Sequence, residues 1–93
     1  KDQLRHSLHL LGDLMFLQEV RRAIRHPERG RSTLTTIATA LGFSKTAVSL
    51  RLTKKYQWDS LQVDLVEREI ESVRQQLMPY ADRLITATKL LQP

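Results

Sequence analysis

The chain has no cysteine among its 93 residues, and glycine, proline and tryptophan are scarce. Without cysteine there is neither a disulfide nor a thiolate metal site, which fits a reducing, cytoplasmic compartment. The remaining composition is ordinary for a folded helical domain and argues against disorder. No apolar run approaches the length of about 18 residues that spans a membrane, and no segment resembles a secretory signal.

Acidic residues are few in the first part of the chain. Residues 1–58 hold eleven Lys and Arg against four Asp and Glu, whereas residues 59–93 hold four against six. The basic part suits a polyanion, because neutralising phosphates releases condensed counterions, although a solvated basic face explains the charge alone equally well. We therefore expect two parts of one structural domain, with residues 1–58 binding DNA and residues 59–93 forming a linker and dimerisation helix.

A long first helix is predicted over residues 3–26, where apolar residues recur at intervals of three and four. Its apolar side is broad enough to contact more than one neighbour. Pro27 and Gly30 end this helix, and Ser32 or Thr33 can cap the next one. Because no β-branched alternation occurs, we predict an all-α fold with at most one short pair of strands.

The stretch LTTIATALGFSKTAVSLRL has the spacing of a helix-turn-helix. Ala38 is a small residue four positions before Gly42, which lies where a tight turn needs a positive φ. Ser44 can cap the second helix, and Phe43 and Val48 are expected to fill the corner between the two helices. A plain hairpin of two helices would also favour a small residue and a glycine.

The outward side of the second helix, at about residues 44–56, carries lysine and hydroxyl side chains that suit contact with DNA. No glutamate lies between Arg29 and Val66, so no side chain of that type repels phosphate there. Only Lys45 offers a strong guanine contact, so specificity would depend on DNA shape, and affinity would fall with salt. The predicted DNA-binding residues are Arg31, Thr35, Ser44, Lys45, Thr46, Ser49, Leu50, Thr53 and Lys54.

The last third of the chain carries a heptad seam of apolar residues. We predict one long helix from Asp59, capped by Asp59 and Gln62 and bent at Pro79. Part of the seam can pack on the first helix, but the rest favours a homodimer, because a short chain has few elements to cover it. The predicted dimerisation residues are Leu4, Leu8, Leu11, Val66, Ile70, Val73, Leu77, Tyr80, Leu84 and Leu91.

The segment TLTTIATALGFSKTAVSLRLTK resembles the N-terminal helix-turn-helix of LysR-type transcriptional regulators. LVER at 65–68 and LMPYADRLI at 77–85 are similar to later parts of that family's DNA-binding domain, including the start of its linker helix. The resemblance implies a winged-helix-like fold and a dimer formed through the linker helix. Leu50 stands where the family often has Arg, and Lys55 and Tyr56 replace its Leu-Glu. The segment before the linker is short, so we expect the wing to be reduced or absent.

These features predict a transcriptional regulator that binds double-stranded DNA as a homodimer, with two recognition helices in successive major grooves. The alternative is a protein-interaction module of the same fold that binds another regulator, which an exposed Leu50 would favour. No enzyme activity, cofactor or metal is predicted, since His6 and His9 have ligand spacing but no third ligand. The apolar pattern running to the chain end suggests a fragment, with an effector domain or partner protein beyond residue 93.

Overall fold

The computed structural model describes residues 2–82, and the regular secondary structure of this part of the chain is all helical. Its four α-helices are α1 (Asp2–Arg25), α2 (Thr33–Leu41), α3 (Lys45–Leu50) and α4 (Val63–Leu77). A π-helical turn at Arg51–Lys55 continues α3, and a 3-10 turn at Met78–Tyr80 follows α4. No strand occurs within residues 2–82, so the all-α prediction is confirmed there. None of these helices combines the length and apolar character needed to span a membrane.

Local side-chain chemistry sets the ends of α2 and the start of α3. Ser32 caps α2, because its hydroxyl oxygen accepts a hydrogen bond from the Thr35 amide at 3.2 Å. Gly42 ends α2 in the left-handed region with φ 72°, which glycine adopts without steric cost. Ser44 caps α3 by accepting a hydrogen bond from the Ala47 amide at 3.1 Å. The turn between α2 and α3 is therefore only three residues long.

One apolar core joins all four helices, and α1 is its centre. α1 and α4 run antiparallel, since Arg25 pairs with Glu67 at 2.9 Å and the rings of His6 and Tyr80 meet at 5.9 Å. α2 packs on α1, and α3 packs on α2. Burial of this apolar surface is the main force that stabilises the fold. The buried apolar residues are Leu10, Phe16, Leu17, Val20, Ala23, Ile37, Ala38, Val48, Leu52, Val66, Ile70 and Val73.

The central part of the predicted dimer seam is buried inside the chain. Val66, Ile70 and Val73 are buried in the common core, with α4 packed along α1. A partner cannot reach these side chains in the folded chain, so their assignment to a dimer interface is wrong. The physical reason is the breadth of the apolar side of α1, which covers this face of α4 without a second chain.

The start of α4 also differs from the prediction. The helix begins at Val63 rather than at Asp59, and Gln62 at the cap position makes no capping bond with its side chain. The side-chain amide of Gln62 instead donates a hydrogen bond to the Ser60 hydroxyl at 3.3 Å. Gln57 has a left-handed φ of 57°, which turns the chain before α4 and keeps residues 57–62 out of the helix.

The sequence predicts one long helix bent at Pro79, and the structure shows an interruption before that residue instead. The α-helix stops at Leu77, and Pro79 lies within the 3-10 turn that follows. Leu77 and Tyr80 are half-buried against the core, so they face the inside of the chain more than a partner. The predicted dimerisation residues Leu84 and Leu91 lie outside the described residues.

Replacing Gly42 by Ala should lower the free energy of unfolding by about 1–2 kcal/mol, because a Cβ is strained in the left-handed region. An added Cβ would meet no atom within 4 Å beyond its chain neighbours, so the cost is conformational rather than steric crowding by the core. Gly42→Asn is the matched control and should cost less, since Asn tolerates this region. Urea denaturation followed by far-UV circular dichroism measures both. Equal stability of Gly42→Ala and the wild type would contradict the role of this turn.

Candidate nucleic-acid interface

The surface of α3 and the π turn presents the side chains predicted to contact DNA. Val48 and Leu52 are buried on the inner side, and together they fix which side faces outward. Thr53 is further oriented by a hydrogen bond from its hydroxyl to the Ser49 carbonyl oxygen at 2.9 Å. Ser49 itself is half-buried. The exposed residues of this surface are Lys45, Thr46, Leu50, Thr53 and Lys54.

The other predicted contact residues lie near the start of α2 and α3, and each has a local partner. Arg31 pairs with Glu28 at 3.3 Å, and both side chains are about half exposed. The Thr35 hydroxyl lies 2.8 Å from the Ser32 hydroxyl at the α2 cap. Ser44 is exposed while it caps α3. These contacts keep the side chains at the surface, but they are not gathered into one cluster.

Two large apolar side chains are exposed on the α2–α3 unit. Phe43 is 46% exposed and Leu50 is 51% exposed. The prediction that Phe43 fills the corner between the helices is wrong. Its amide donates to the Ala38 carbonyl oxygen at 2.9 Å, which closes the left-handed turn and leaves the ring on the solvent side. Val48 fills the corner without it.

A buried carboxylate from α1 binds two cations of the π turn. Asp13 Oδ1 accepts hydrogen bonds from the Arg51 guanidinium and, at 2.5 Å, from the Lys55 ammonium. The Tyr56 hydroxyl lies 3.5 Å from the same oxygen. The Arg51 guanidinium also lies over the Phe16 ring, 4.4 Å from its centre. We call Asp13, Arg51, Lys55 and Tyr56 the Asp13 cluster; its two cations are held toward α1 rather than toward a ligand.

A stack of three aromatic rings adjoins the Asp13 cluster. The Tyr56 ring stacks on Phe16 at 6.0 Å between centres and on Trp58 at 4.9 Å. The Trp58 amide donates to the Leu52 carbonyl oxygen at 3.0 Å and so ties this stack to the end of the π turn. The stack and the ion pairs together fix the C-terminal half of the predicted recognition helix against α1.

Sequence reasoning missed Asp13, although a signal was present. Asp13 lies three positions after Leu10 and four before Leu17, on the stripe of α1 that is buried. A carboxylate is rarely placed on such a stripe without a cationic partner. The cations that pair with Asp13 were harder to predict. Arg51 and Lys55 belong to a run of basic residues, and the sequence does not show which of these cations pairs with a carboxylate.

A cavity of about 210 Å³ opens between the start of α2, the π turn and the loop before α4. Its apolar part is formed by Leu34, Leu52, Trp58 and Leu61. Ser49 and Thr53 lie on its rim, so the cavity adjoins the predicted DNA-contacting surface. The sequence did not predict it, because it depends on the turn at residues 57–62.

Within residues 2–82, no three His, Cys, Asp or Glu side chains come together in a group that could hold a metal ion. Comparison of the chain with models of protein families, with curated proteins and with solved structures finds no match. The resemblance to LysR-type regulators therefore depends on the segments quoted above.

Changing Asp13 to Asn removes the charge that binds Arg51 and Lys55 but keeps the size of the side chain. We expect the free energy of unfolding to fall by about 2 kcal/mol, less than for a fully buried pair because the Arg51 side chain is 28% exposed. Urea denaturation followed by Trp58 fluorescence measures the change. The exposed Asp59, changed to Asn, is the control and should shift stability by less than about 0.5 kcal/mol. Wild-type stability of Asp13→Asn would contradict a stabilising role for the cluster.

The Tyr56 phenol should have a pKa above its ordinary value of 10.0, chiefly because burial disfavours the phenolate. The Arg51 hydrogen bond opposes this shift, and the Asp13 charge adds to it. The folded chain thus holds this proton more tightly than the unfolded chain does. The contribution of Tyr56 to stability is complete below a pH of about 10 and is lost as the pH rises through the folded pKa.

Ultraviolet absorbance titration of a Tyr80→Phe variant measures this pKa. The sequence has two tyrosines, and Tyr56 is the one that remains in this variant. The same titration in urea gives the unfolded reference, with an expected midpoint of about 10. Equal midpoints in the folded and unfolded chains would show that burial does not act on Tyr56.

Proposed function

We propose that the chain binds double-stranded DNA and regulates transcription, with α3 and the π turn entering the major groove. The observation that carries the proposal is the α2–turn–α3 unit. Two short helices are joined by three residues around Gly42, and the buried Val48 and Leu52 direct a polar surface outward. A helix-turn-helix uses this arrangement to present its recognition helix. The sequence resemblance to LysR-type regulators supports the regulatory role.

The charge of this surface supports the proposal. No Asp or Glu occurs from Arg29 to Trp58, so the unit itself carries no carboxylate that would repel phosphate. Lys45 and Lys54 are exposed at the two ends of the surface. Arg51 and Lys55 contribute less than the sequence suggests, because Asp13 binds both. Asp13 cancels one of these two positive charges, so the electrostatic attraction to DNA would come from Lys45, Lys54 and the remaining positive charge of the Asp13 cluster. Arg31 would add less, because it pairs with Glu28.

The side chains between the two lysines suit contact with a groove. Thr46, Ser49 and Thr53 are short hydroxyl residues, which bond to base edges or phosphates without filling the groove. No Arg, Asn or Gln is exposed on this surface to make a bidentate base contact. Specificity would depend mostly on the shape of the DNA and on the spacing of two half-sites read by a homodimer.

Reversing Lys45 and Lys54 together to Glu should weaken duplex binding by roughly 100-fold, because two phosphate contacts become repulsive. Fluorescence anisotropy of a labelled random-sequence duplex, titrated at several salt concentrations, measures this. The double variant should also make the slope of log affinity against log salt shallower by about 1.8, at about 0.9 per lost phosphate contact.

Arg68→Glu with Arg74→Glu is the matched control, since it changes the net charge equally at exposed positions of α4. This control should keep most of the affinity. If both double variants lose the same affinity, binding follows net charge and α3 is not the interface. A wild-type chain that ignores duplex DNA at low salt would overturn the proposed function.

A second candidate function is binding to another protein through the same unit. Its support is the exposure of two large apolar side chains on this unit, Phe43 and Leu50. Leu50→Glu would then abolish the protein contact, while the Lys45 and Lys54 reversals would leave it intact. The opposite result, loss on reversing the lysines, is expected for DNA.

A further inference from the structure

α1 carries a second apolar stripe on the face opposite the core. Leu4, Leu8 and Met15 are 51%, 55% and 63% exposed, and Leu11 is half-buried beside them. Their spacings of four, three and four place them along one line of the helix. The buried Leu10 and Leu17 lie on the opposite side. We call Leu4, Leu8, Leu11 and Met15 the α1 stripe; no helix within residues 2–82 covers it.

A glycine adjoins the α1 stripe, and nothing in residues 2–82 requires it. Gly12 lies in the interior of α1, where glycine is disfavoured relative to alanine. Its φ is not positive, and an added Cβ would meet no atom within 4 Å. Within residues 2–82, neither the backbone conformation nor the packing therefore requires a glycine there. A missing side chain on an exposed helix face allows the backbone of a second helix to approach closely.

We propose that the chain forms a homodimer in which the α1 stripe packs antiparallel against the α1 stripe of a second copy. Leu8 and Met15 take the a positions of a heptad, and Leu4 and Leu11 take the d positions. An antiparallel pair places each a residue against a d residue, so Leu8 meets the partner's Leu11 and Leu4 meets the partner's Met15. Twofold symmetry repeats both contacts, which gives a self-complementary interface.

The residues that flank the α1 stripe agree with the same register. Arg5, Gly12 and Glu19 occupy the e positions, which face one another across an antiparallel pair. Gly12 then lies beside the partner's Arg5, and the long Arg5 side chain extends from there toward the partner's Glu19. Within the chain, Glu19 Oε1 accepts a hydrogen bond from Arg22 at 2.6 Å. In the dimer, Glu19 Oε2 would accept one from the partner's Arg5. The apolar layers, the small residue Gly12 and the charges of Arg5 and Glu19 all favour a second copy of the chain as the partner that covers the α1 stripe.

This interface keeps the α1 residues Leu4, Leu8 and Leu11 that the sequence predicts for dimerisation and omits the central residues of the α4 seam, which are buried. It goes beyond DNA binding. Sedimentation equilibrium without DNA tests it, starting from the chain mass of 10.8 kDa. The wild type should approach twice this mass as concentration rises. Leu8→Glu should weaken association at least tenfold, whereas Leu50→Glu, the same change at a leucine of similar exposure on α3, should leave it unchanged.

Two further variants separate loss of the interface from loss of the fold. Gly12→Gln should abolish the dimer but raise the midpoint of thermal unfolding of the monomer, since glutamine favours helix. Arg5→Glu should weaken the dimer, and Arg5→Glu combined with Glu19→Arg should restore it. A wild type that remains monomeric at all concentrations, or equal effects of Leu8→Glu and Leu50→Glu, would overturn the proposal. The DNA titration of α3 is a separate measurement, so either proposal can fail alone.

Discussion

The burial of one broad side of α1 is the constraint on which the other elements depend. α4 packs along this side, and α2 also packs on α1. Because α1 is long and α2 and α3 are short, the short pair has no core of its own and takes its position from α1. The orientation of the α3 surface is therefore determined by contacts made far from it in the sequence, and damage to the α1 core would move that surface.

The Asp13 cluster shows how the fold divides its positive charge between structure and surface. Arg51 and Lys55 belong to the helix that is proposed to meet DNA, yet their charges are directed inward by one buried carboxylate. The π turn brings these two side chains and Tyr56 to the same side of the chain, against α1. The cluster holds the end of this helix against α1, and it reduces the positive charge on the outer surface of the helix. Lys45 and Lys54 keep their exposure.

Local features of this fold were predictable from the sequence, and contacts between distant residues were not. The caps Ser32 and Ser44 and the left-handed Gly42 each depend on neighbouring residues, and the structure confirms them. Three other features depend on how the helices pack together, which periodicity does not determine. They are the packing of α1 over the apolar face of α4, the exposure of Phe43 and the ion pairs of Asp13. The heptad spacing of Val66, Ile70 and Val73 was real, but the same spacing serves a partner helix within the chain. Of the residues predicted for the candidate surface, Lys45, Thr46, Leu50, Thr53 and Lys54 are exposed, and the ion pairs of Arg51 and Lys55 with Asp13 were not predicted.

The separation of charge along the chain has a consequence for how the molecule would meet a polyanion. α4 exposes acidic side chains such as Asp64 and Glu71, and it packs mainly on α1, whereas the α2–α3 unit has no acidic residue. Such an arrangement is an electric dipole, which experiences a torque in the field of a DNA backbone before contact is made. The torque would favour an approach in which the α2–α3 unit faces the DNA, so fewer collisions would occur in wrong orientations. Its range is limited to about 8–10 Å at physiological salt, so orientation would be acquired in the last moments of approach.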